Sequence, residues 1–244
     1  MHRSEFEKLF EVESNYWWFR GQRFILHQFL KKYYPTKNNL KLLDVGCGTG
    51  LTLKLLQKFG SVQGMDIADD AVEFCRKRGF KIKQCDLMNL DYPNNSFDVV
   101  TSLGVFYHKD VKDDLQGFKE IKRVLKPNGR FFILDSAMNC LYSKHDLAFQ
   151  GIRRYSRKEL SHKLHQAGFK VEKITYYNTL FFPLIYFKRK LDNFSHKPLK
   201  SDLEIKISPI LNKVMKWVYF SELKLLKYIN YPFGVNILAV AKRK

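Results

Sequence analysis

Short apolar runs and segments of helical periodicity alternate along the chain after residue 40. Helical patterns cover residues 51–60, 69–79, 113–129 and 156–168. Apolar, strand-like runs lie between and after them, at 41–45, 61–66, 80–86, 97–104, 130–135, 170–178 and 236–244. This alternation predicts an α/β fold with a mostly parallel sheet and helices on both of its faces.

The rhythm of strands and helices divides the chain into three regions. Residues 1–40 precede the first strand and are predicted to form a helical cap. Residues 41–178 and 231–244 are predicted to form the sheet domain. Residues 179–230 lie between the last two strands and are aromatic, basic and amphipathic. We expect them to form a helical insertion that acts as a lid or as an acceptor-binding element.

A glycine-rich turn follows the first strand in the sequence LLDVGCGTG (42–50). Gly46 and Gly48 fit the G-x-G-x-x-G fingerprint of dinucleotide sites, but Leu51 stands in place of the third glycine and Gly50 comes one residue early. A nicotinamide-dependent oxidoreductase is therefore disfavoured.

Acidic residues end three consecutive predicted strands, at Asp44, Asp66 and Asp86. In a parallel sheet of this kind the carboxyl ends of the strands form the ligand site. An acid at the second strand end accepts hydrogen bonds from ribose hydroxyls, and one at the third could accept from an exocyclic amine. A pyrophosphate would be repelled by these carboxylates, whereas an ammonium, a sulfonium, a ribose and an adenine would not. The pattern points to S-adenosylmethionine.

The whole set of motifs resembles the seven-strand, class I S-adenosylmethionine-dependent methyltransferases, and most nearly their quinone-biosynthesis-like branch. The motifs span about residues 16–180 and read LLDVGCGTG, GMDIADDAVEFC, QCDLMNL, NNSFDVVTSLGVFYHKD and IKRVLKPNGRFFILD. The resemblance implies a doubly wound, Rossmann-like sheet of seven strands whose last strand is antiparallel. PNG at 127–129 departs from the family's usual PGG, but Asn tolerates the left-handed region.

The resemblance also implies roles for the site residues. Gly46, Gly48 and Gly50 would wrap the methionine moiety, Asp66 would hold the ribose, and Asp86 with Leu87 would frame the adenine. Leu103 would line the cofactor near the sulfonium. The predicted cofactor site further includes Asp44, Cys47 and Ile67, which lie beside these residues in the sequence.

The segment SNYWWFRGQRFIL (14–26) resembles an N-terminal segment of methyltransferases in the same branch. Trp18 could cover the cofactor and exclude water, and Arg20 could meet its carboxylate. In the alternative interpretation, the aromatic run only packs the helix onto the sheet. Four consecutive aromatic residues cannot share one helical face, so at least one should point elsewhere.

Two residues after the fourth strand are candidates for catalysis. His108, in GVFYHKD, could be the general base that accepts a hydroxyl proton, and Tyr107 has the same standing. In the alternative interpretation, both residues only support a loop. The other histidines and the four dispersed cysteines show no metal-ligand spacing, so we predict no metal site and reduced, intracellular thiols.

Basic residues are concentrated in the second half of the chain. Residues 1–135 carry a net charge of +5 and residues 136–244 carry +14. Such an excess favours nucleic acid, an anionic membrane surface or an acidic substrate, or it only solvates the surface. Residues 179–230 hold ten Lys and Arg, four Asp and Glu and nine aromatic residues, which suits membrane docking, RNA stacking, or an amphipathic lid or dimer interface.

The expected function is methyl transfer to a small-molecule, sugar or lipid-linked acceptor, with oxygen as the favoured atom. After the fourth strand the chain reads TSLGVFYH and lacks the [DNS]-P-P-[YFW] tetrapeptide of amino-methylating DNA enzymes. RNA methylation and a non-catalytic cofactor-binding partner subunit remain the alternatives. No secretory signal and no apolar run of the ~18 residues needed to span a bilayer occur. We expect a cytoplasmic protein, with peripheral contact at the inner face of the membrane left open.

Overall fold

The computed structural model describes residues 3–36, 39–194 and 208–244. Seven strands lie in this part of the chain, and they are β1 (Leu40–Val45), β2 (Gly60–Asp66), β3 (Lys83–Gln84), β4 (Phe97–Leu103), β5 (Leu125–Ser136), β6 (Phe169–Tyr177) and β7 (Asn236–Arg243). Nine α-helices of the described ranges surround them, at α1 (Arg3–Val12), α2 (Trp17–Tyr33), α3 (Leu51–Leu56), α4 (Asp69–Lys77), α5 (Asp114–Val124), α6 (Lys144–Ala148), α7 (Arg157–Gln166), α8 (Phe182–Phe194) and α9 (Pro209–Leu225). A short 3₁₀ helix covers Asn139–Leu141.

The strands form one sheet in the order β3-β2-β1-β4-β5-β7-β6. β1 pairs in parallel with β2 and β4, and β4 pairs in parallel with β5. β7 runs antiparallel to both β5 and β6. The predicted fold class, a mostly parallel seven-strand sheet with an antiparallel last strand, is confirmed. The strand order reverses between β1 and β4, which is where sheets of this kind bind ligands.

Several element boundaries differ from the predicted ones for local reasons. The third helix ends at Leu56, because Gly60 already starts β2 with φ 153°. α5 ends at Val124 and β5 begins at Leu125, since Pro127 breaks the helical pattern and pushes the residue before it towards extended backbone. The predicted strand 80–86 is reduced to Lys83–Gln84, which pairs only with β2 at the sheet edge.

Helices cover both faces of the sheet. On one face α5 and α7 bury apolar side chains such as Phe118 and Leu160. On the other face α2 and α9 pack together, and their core includes Phe29, Tyr219 and Leu223. The contact is close enough that a Cβ at Gly21 would lie 2.1 Å from the ring of Tyr219. Burial of this amphipathic pair provides the main stabilisation of both helices.

The region predicted as an insertion contributes α8 and α9 within its described residues. Glu222 of α9 accepts hydrogen bonds from the backbone N–H groups of Thr179 and Leu180, which lead into α8. Residues 195–207 of the predicted insertion lie outside the described residues. Among the ranges that are described, no helix combines the length and apolarity required to cross a bilayer.

Candidate functional site

A cavity of about 340 Å³ opens at the carboxyl ends of β1, β2, β4 and β5. The start of β7 reaches the same edge because that strand runs antiparallel to β5. The N-terminal segment and α8 complete the walls. Apart from Gly50 and Arg20, every residue predicted for the site lines this cavity, namely Trp18, Asp44, Gly46, Cys47, Gly48, Asp66, Ile67, Asp86, Leu87, Leu103, Tyr107 and His108.

The glycine turn between β1 and α3 holds three left-handed residues. Gly46, Gly48 and Gly50 have φ values of 65°, 55° and 84°. A Cβ at Gly48 would meet none of the described atoms within 4 Å, so this backbone faces open space in the cavity. A Cβ at Gly50 would lie 2.9 Å from the Sγ atom of buried Cys75. Gly50 therefore shapes the turn, whereas Gly48 borders the open cavity.

Asp44 and Asp66 are fixed by hydrogen bonds at the ends of their strands. The Thr101 hydroxyl donates to Asp44 at 2.6 Å, and burial raises the pKa of Asp44 to about 7. The backbone N–H groups of Gly48 and Ala68 donate to the two carboxylate oxygens of Asp66 at 2.9 and 3.1 Å. Burial raises the pKa of Asp66, and these hydrogen bonds oppose that rise. Asp66 thus holds the glycine turn in place as well as facing the cavity.

Asp86 follows β3 at the edge of the cavity and is only partly buried. Its Oδ1 atom accepts a hydrogen bond from the Met88 N–H at 2.8 Å, while Leu87 is buried in the core. Its Oδ2 atom accepts no hydrogen bond from the described residues, which is compatible with the predicted contact to a ligand amine.

A fourth strand-end acid, Asp135, organises the loop after β4. Its carboxylate accepts from the N–H groups of Phe106 at 2.8 Å and Ser136 at 2.7 Å. Burial raises its pKa to about 7. Sequence reasoning missed Asp135, although it ends the predicted strand 130–135 in the same way that the other three acids end theirs.

The two candidate catalytic residues, Tyr107 and His108, lie on this loop, and their pKa values are shifted in opposite directions. Burial lowers the pKa of His108, whose Nδ1 atom lies 3.1 Å from Oδ2 of Asp110. Burial raises the pKa of Tyr107, so its hydroxyl keeps its proton at neutral pH. A neutral imidazole can accept a proton, whereas a protonated phenol can hydrogen-bond to a ligand but does not act as a base at neutral pH.

The residues of the aromatic N-terminal segment differ in their contacts with the cavity and the core. Trp17 is buried and contacts the ring of Tyr219 edge-on at 4.9 Å. The Trp18 Nε1–H donates to Asn236 at the start of β7, at 3.3 Å. Arg20 is exposed and is not part of the cavity wall, whereas Arg23 is. Arg23, three residues further along α2, is therefore the arginine of this segment that lines the cavity.

Glu13, between α1 and α2, joins the N-terminal cap to the glycine turn. Its buried carboxylate accepts hydrogen bonds from the Thr49 hydroxyl and, at 2.7 Å, from Arg78, which follows α4. The Arg23 guanidinium donates to the Glu13 carbonyl at 2.6 Å. Burial raises the pKa of Glu13, and the hydroxyl and both arginines oppose the rise. No pattern around residue 13 in the sequence signals this role.

A buried ion cluster forms the far wall of the cavity. Arg154 donates to Asp146 and to the Ala137 carbonyl, each at 2.8 Å. Arg189 of α8 lies 3.6 Å from the second oxygen of Asp146 and donates to the Leu141 carbonyl at 3.0 Å. Sequence reasoning did not find this cluster, since its members are separated by up to 43 residues and match no motif.

The donors and acceptors of the cavity suit S-adenosylmethionine. The cradle at Gly48 would be filled by a Cβ, and the carboxylates of Asp44, Asp66 and Asp86 line the same cavity, which is the acceptor set that a ribose, an amine and a sulfonium require. Two buried polar atoms of wall residues, Trp17 Nε1 and Asn178 Oδ1, have no hydrogen-bond partner in the described part of the chain. A buried group of this kind is costly unless a ligand or water satisfies it.

The central segment of the chain is similar in sequence to known methyltransferases. Residues 43–133 match the family of methyltransferase domains. The chain is 34% identical over 126 residues to a probable tRNA methyltransferase 9B of Mus musculus, a match that covers 50% of this chain and 27% of that protein. It is 35% identical over 128 residues to a sterol 24-C-methyltransferase of Gibberella zeae, covering 48% and 33%. The chain thus spans about a third or less of the length of these curated relatives.

Solved structures share the fold at low sequence identity. A chain of the complex between the Haloferax volcanii Trm112 methyltransferase activator and its methyltransferase superposes with a TM-score of 0.62, at 18% identity over 98% of this chain and 96% of that one. The YcgJ protein of Bacillus subtilis superposes with a TM-score of 0.59, at 17% identity over 89% and 97%. These likenesses concern the fold.

Proposed function

We infer that this chain, which carries a class I S-adenosylmethionine-dependent methyltransferase domain, transfers a methyl group to an acceptor bound in the cavity. The domain family and fold imply S-adenosylmethionine as the cofactor. The observation that carries the inference is the convergence of the glycine turn with Asp44, Asp66 and Asp86 on one cavity.

The proposed cofactor site contains the residues expected from the sequence, with the exception of Arg20. Gly46, Cys47 and Gly48 would hold the methionine moiety while Gly50 maintains the turn. Asp66 and Ile67 would meet the ribose, Asp86 and Leu87 the adenine, and Leu103 the region of the sulfonium. Trp18 and Asp44 complete this proposal. Arg23 replaces Arg20 as the cation near the cofactor carboxylate, since Arg23 lines the cavity.

When bound, the cofactor supplies an electrophilic methyl group on a sulfonium. The chain itself aligns donor and acceptor and excludes water, which are the main contributions needed for an in-line displacement. The Trp18–Asn236 hydrogen bond closes the N-terminal segment over the sheet edge and so supports water exclusion. Asp135 holds the loop that carries Tyr107 and His108 at the same edge.

For the acceptor, we propose a small-molecule, sugar or lipid-linked group that reacts at oxygen. His108 supports this choice, because a half-buried, neutral imidazole in the cavity wall can accept the proton of a hydroxyl. Tyr107 would position the acceptor by a hydrogen bond, since it keeps its proton. A sulfonium-to-oxygen transfer needs such a base only while the hydroxyl is protonated.

RNA is the second candidate acceptor. It is favoured by the similarity to the probable tRNA methyltransferase 9B and by the net charge of +14 in residues 136–244. The fold shared with the Haloferax volcanii complex, which contains the Trm112 methyltransferase activator, supports a further possibility in which activity requires a partner subunit. In that case the chain alone binds the cofactor but turns over only in a complex.

Calorimetric titration with S-adenosylhomocysteine tests the cofactor site, with NAD as the competing ligand. Wild type is expected to bind S-adenosylhomocysteine alone, and Asp66→Asn to bind it at least about tenfold more weakly, because one ribose acceptor becomes an amide. Asp91→Asn changes an exposed acid outside the cavity and serves as the matched control. Binding of NAD, or equal affinity in the Asp66 variant, would contradict the proposal.

A further inference from the structure

α8 exposes an apolar stripe on its outer side. Leu184, Phe187 and Leu191 are spaced i, i+3 and i+7, and their exposed fractions are 66%, 65% and 71%. Lys188 and Lys190 fall on the two flanks of this stripe in a helical projection. An apolar stripe with basic flanks is typical of helices that lie in a membrane interface.

α9 repeats this pattern. Ile210, Val214 and Trp217 are spaced i, i+4 and i+7 and are exposed by 78%, 52% and 74%. Lys213 and Lys224 lie next to Trp217 in a helical projection. The two apolar stripes and these lysines are referred to below as the outer face.

The opposite sides of both helices are engaged in the fold. On α8, Ile185 and Arg189 line the cavity, and Arg189 is held by the Leu141 carbonyl. On α9, Tyr219 and Leu223 are buried against α2, and Glu222 caps the segment that leads into α8. The helices cannot turn their apolar stripes inward without breaking these contacts. The described residues therefore leave the outer face available to a partner.

The charge and the side-chain types of the outer face favour an anionic lipid surface. Within the described parts of α8 and α9, five lysines reach the surface and Asp192 is the one acid that is not buried. A second copy of such a face would be repelled, whereas anionic headgroups would be attracted. Stacking of RNA bases requires aromatic side chains, but six of the eight exposed apolar residues in the described parts of α8 and α9 are aliphatic, namely Leu184, Leu191, Ile210, Leu211, Val214 and Leu225.

We propose that the outer face docks this protein on the surface of an anionic bilayer. Exposed apolar side chains that are grouped on a surface and rimmed by polar residues mark interaction sites. α8 then lies between the bilayer and the cavity, because its inner side lines the cavity and its outer side meets lipid. A membrane-borne acceptor would enter the cavity beside this helix, a consequence that rests on the proposed methyl transfer, while the docking itself does not.

Co-sedimentation with vesicles tests the docking. In 0.1 M salt, full-length protein is expected to partition at least about tenfold more strongly into vesicles of equal phosphatidylcholine and phosphatidylglycerol than into phosphatidylcholine alone. The triple variant Leu184→Ser/Phe187→Ser/Leu191→Ser should lose at least about tenfold in partitioning, through lost apolar burial. Lys188→Gln/Lys190→Gln should lose the preference for anionic lipid.

Matched controls separate the outer face from general charge and hydrophobicity. Lys54→Gln/Lys58→Gln removes two exposed lysines elsewhere, and Ile152→Ser removes a residue that is 50% exposed. Both controls should bind vesicles like wild type. Emission from Trp217 should shift to shorter wavelength on vesicle binding, and Trp217→Phe should remove most of that shift while vesicle binding persists.

Other occupants of the outer face give different results. Binding to tRNA without binding to vesicles, concentration-dependent dimerisation that the triple variant abolishes, or vesicle binding that the triple variant retains would each overturn the proposal. S-adenosylhomocysteine titration of every variant shows whether it is folded. It also separates failure of docking from failure of the proposed function, since the docking variants leave Asp66 and the glycine turn intact.

Discussion

At the scale of single residues, Gly48 and Gly50 have the same type of backbone but different surroundings. Both have positive φ, so alanine at either position costs about 1–2 kcal/mol in backbone strain. Only Gly50→Ala also pushes a Cβ against buried Cys75, and only Gly48→Ala fills cavity space. We expect Gly50→Ala to lower the free energy of unfolding more, and Gly48→Ala to lose more affinity for S-adenosylhomocysteine. Denaturant unfolding and calorimetry of both variants measure the two effects, and an identical ratio of effects in the two variants would contradict this division of roles.

Asp44 should make stability depend on pH. Burial raises its pKa to about 7, against about 3.9 in an unfolded chain. The folded state therefore holds the proton more tightly, and stability falls as pH rises from about 4 to about 7, by at most about 1.4 kcal/mol per pH unit. Asp44→Asn removes this loss. The free energy of unfolding of the variant should therefore rise relative to that of wild type between pH 5 and pH 8. Urea unfolding at each pH tests this, with exposed Asp91→Asn as the control; a constant advantage would refute it.

Protonation of His108 should determine the acidic limb of the pH profile of turnover. Because burial lowers its pKa, the imidazole is already neutral at pH 7 and the rate should fall only at more acidic pH. His108→Ala is expected to lower kcat by about 10²-fold, to flatten the acidic limb and to leave the affinity for S-adenosylhomocysteine unchanged. His162→Ala, on the exposed side of α7, is the control. An unchanged pH profile in the His108 variant would assign the residue to loop support.

Site residues differed in how well they could be predicted from the sequence. Asp44, Asp66 and Asp86 could be predicted because each ends an apolar run, and runs of this kind align their ends in a parallel sheet. Glu13 and Asn178 could not, because their positions depend on how the cap and the last strands pack. Whether Arg20 faces the cavity depends on how α2 is rotated about its own axis. The run of aromatic residues does not determine that rotation.

At the scale of elements, periodicity located the strands and helices better than their ends. β5 begins five residues before the predicted run RFFILD, since main-chain pairing of Leu125 with Phe97 extends the strand across Pro127. The amphipathic sequence of α9 looked like a lid element, yet its Tyr219 and Leu223 belong to the core with α2. Sequence shows that a helix has an apolar side but does not show which partner covers it.

The N-terminal cap should depend on Glu13. Glu13→Gln removes the charge that pairs with Arg78 and weakens the link to the glycine turn, so residues 3–16 should exchange amide hydrogens faster. Affinity for S-adenosylhomocysteine should fall by about tenfold, since the turn loses a support. Glu11→Gln changes an exposed acid two residues earlier, in α1, and is the matched control. Equal exchange in both variants would show that aromatic packing alone holds the cap.

At the scale of the whole molecule, the cavity lies where separately anchored parts of the chain meet. The sheet edge supplies the acids, Glu13 and Trp18 attach the N-terminal segment, and Arg189 attaches α8. A ligand in this cavity touches elements that are far apart in sequence, so its binding should stiffen them together.

Binding of S-adenosylhomocysteine should therefore stabilise the protein globally. At 100 times the Kd, a ligand that binds only the folded state adds about 2.7 kcal/mol, which corresponds to a rise in Tm of roughly 5 to 11 °C for a chain of this size. Amide exchange should slow at the α1–α2 junction, in the glycine turn and at the start of β7, because Glu13, Gly48 and Asn236 all line the cavity. The outward side of α9 should not change, and Asp66→Asn should need more ligand for the same shift. A rise in Tm with slower exchange in the glycine turn alone would show that the cap and β7 do not take part in binding, and the cavity would then be only partly a cofactor site.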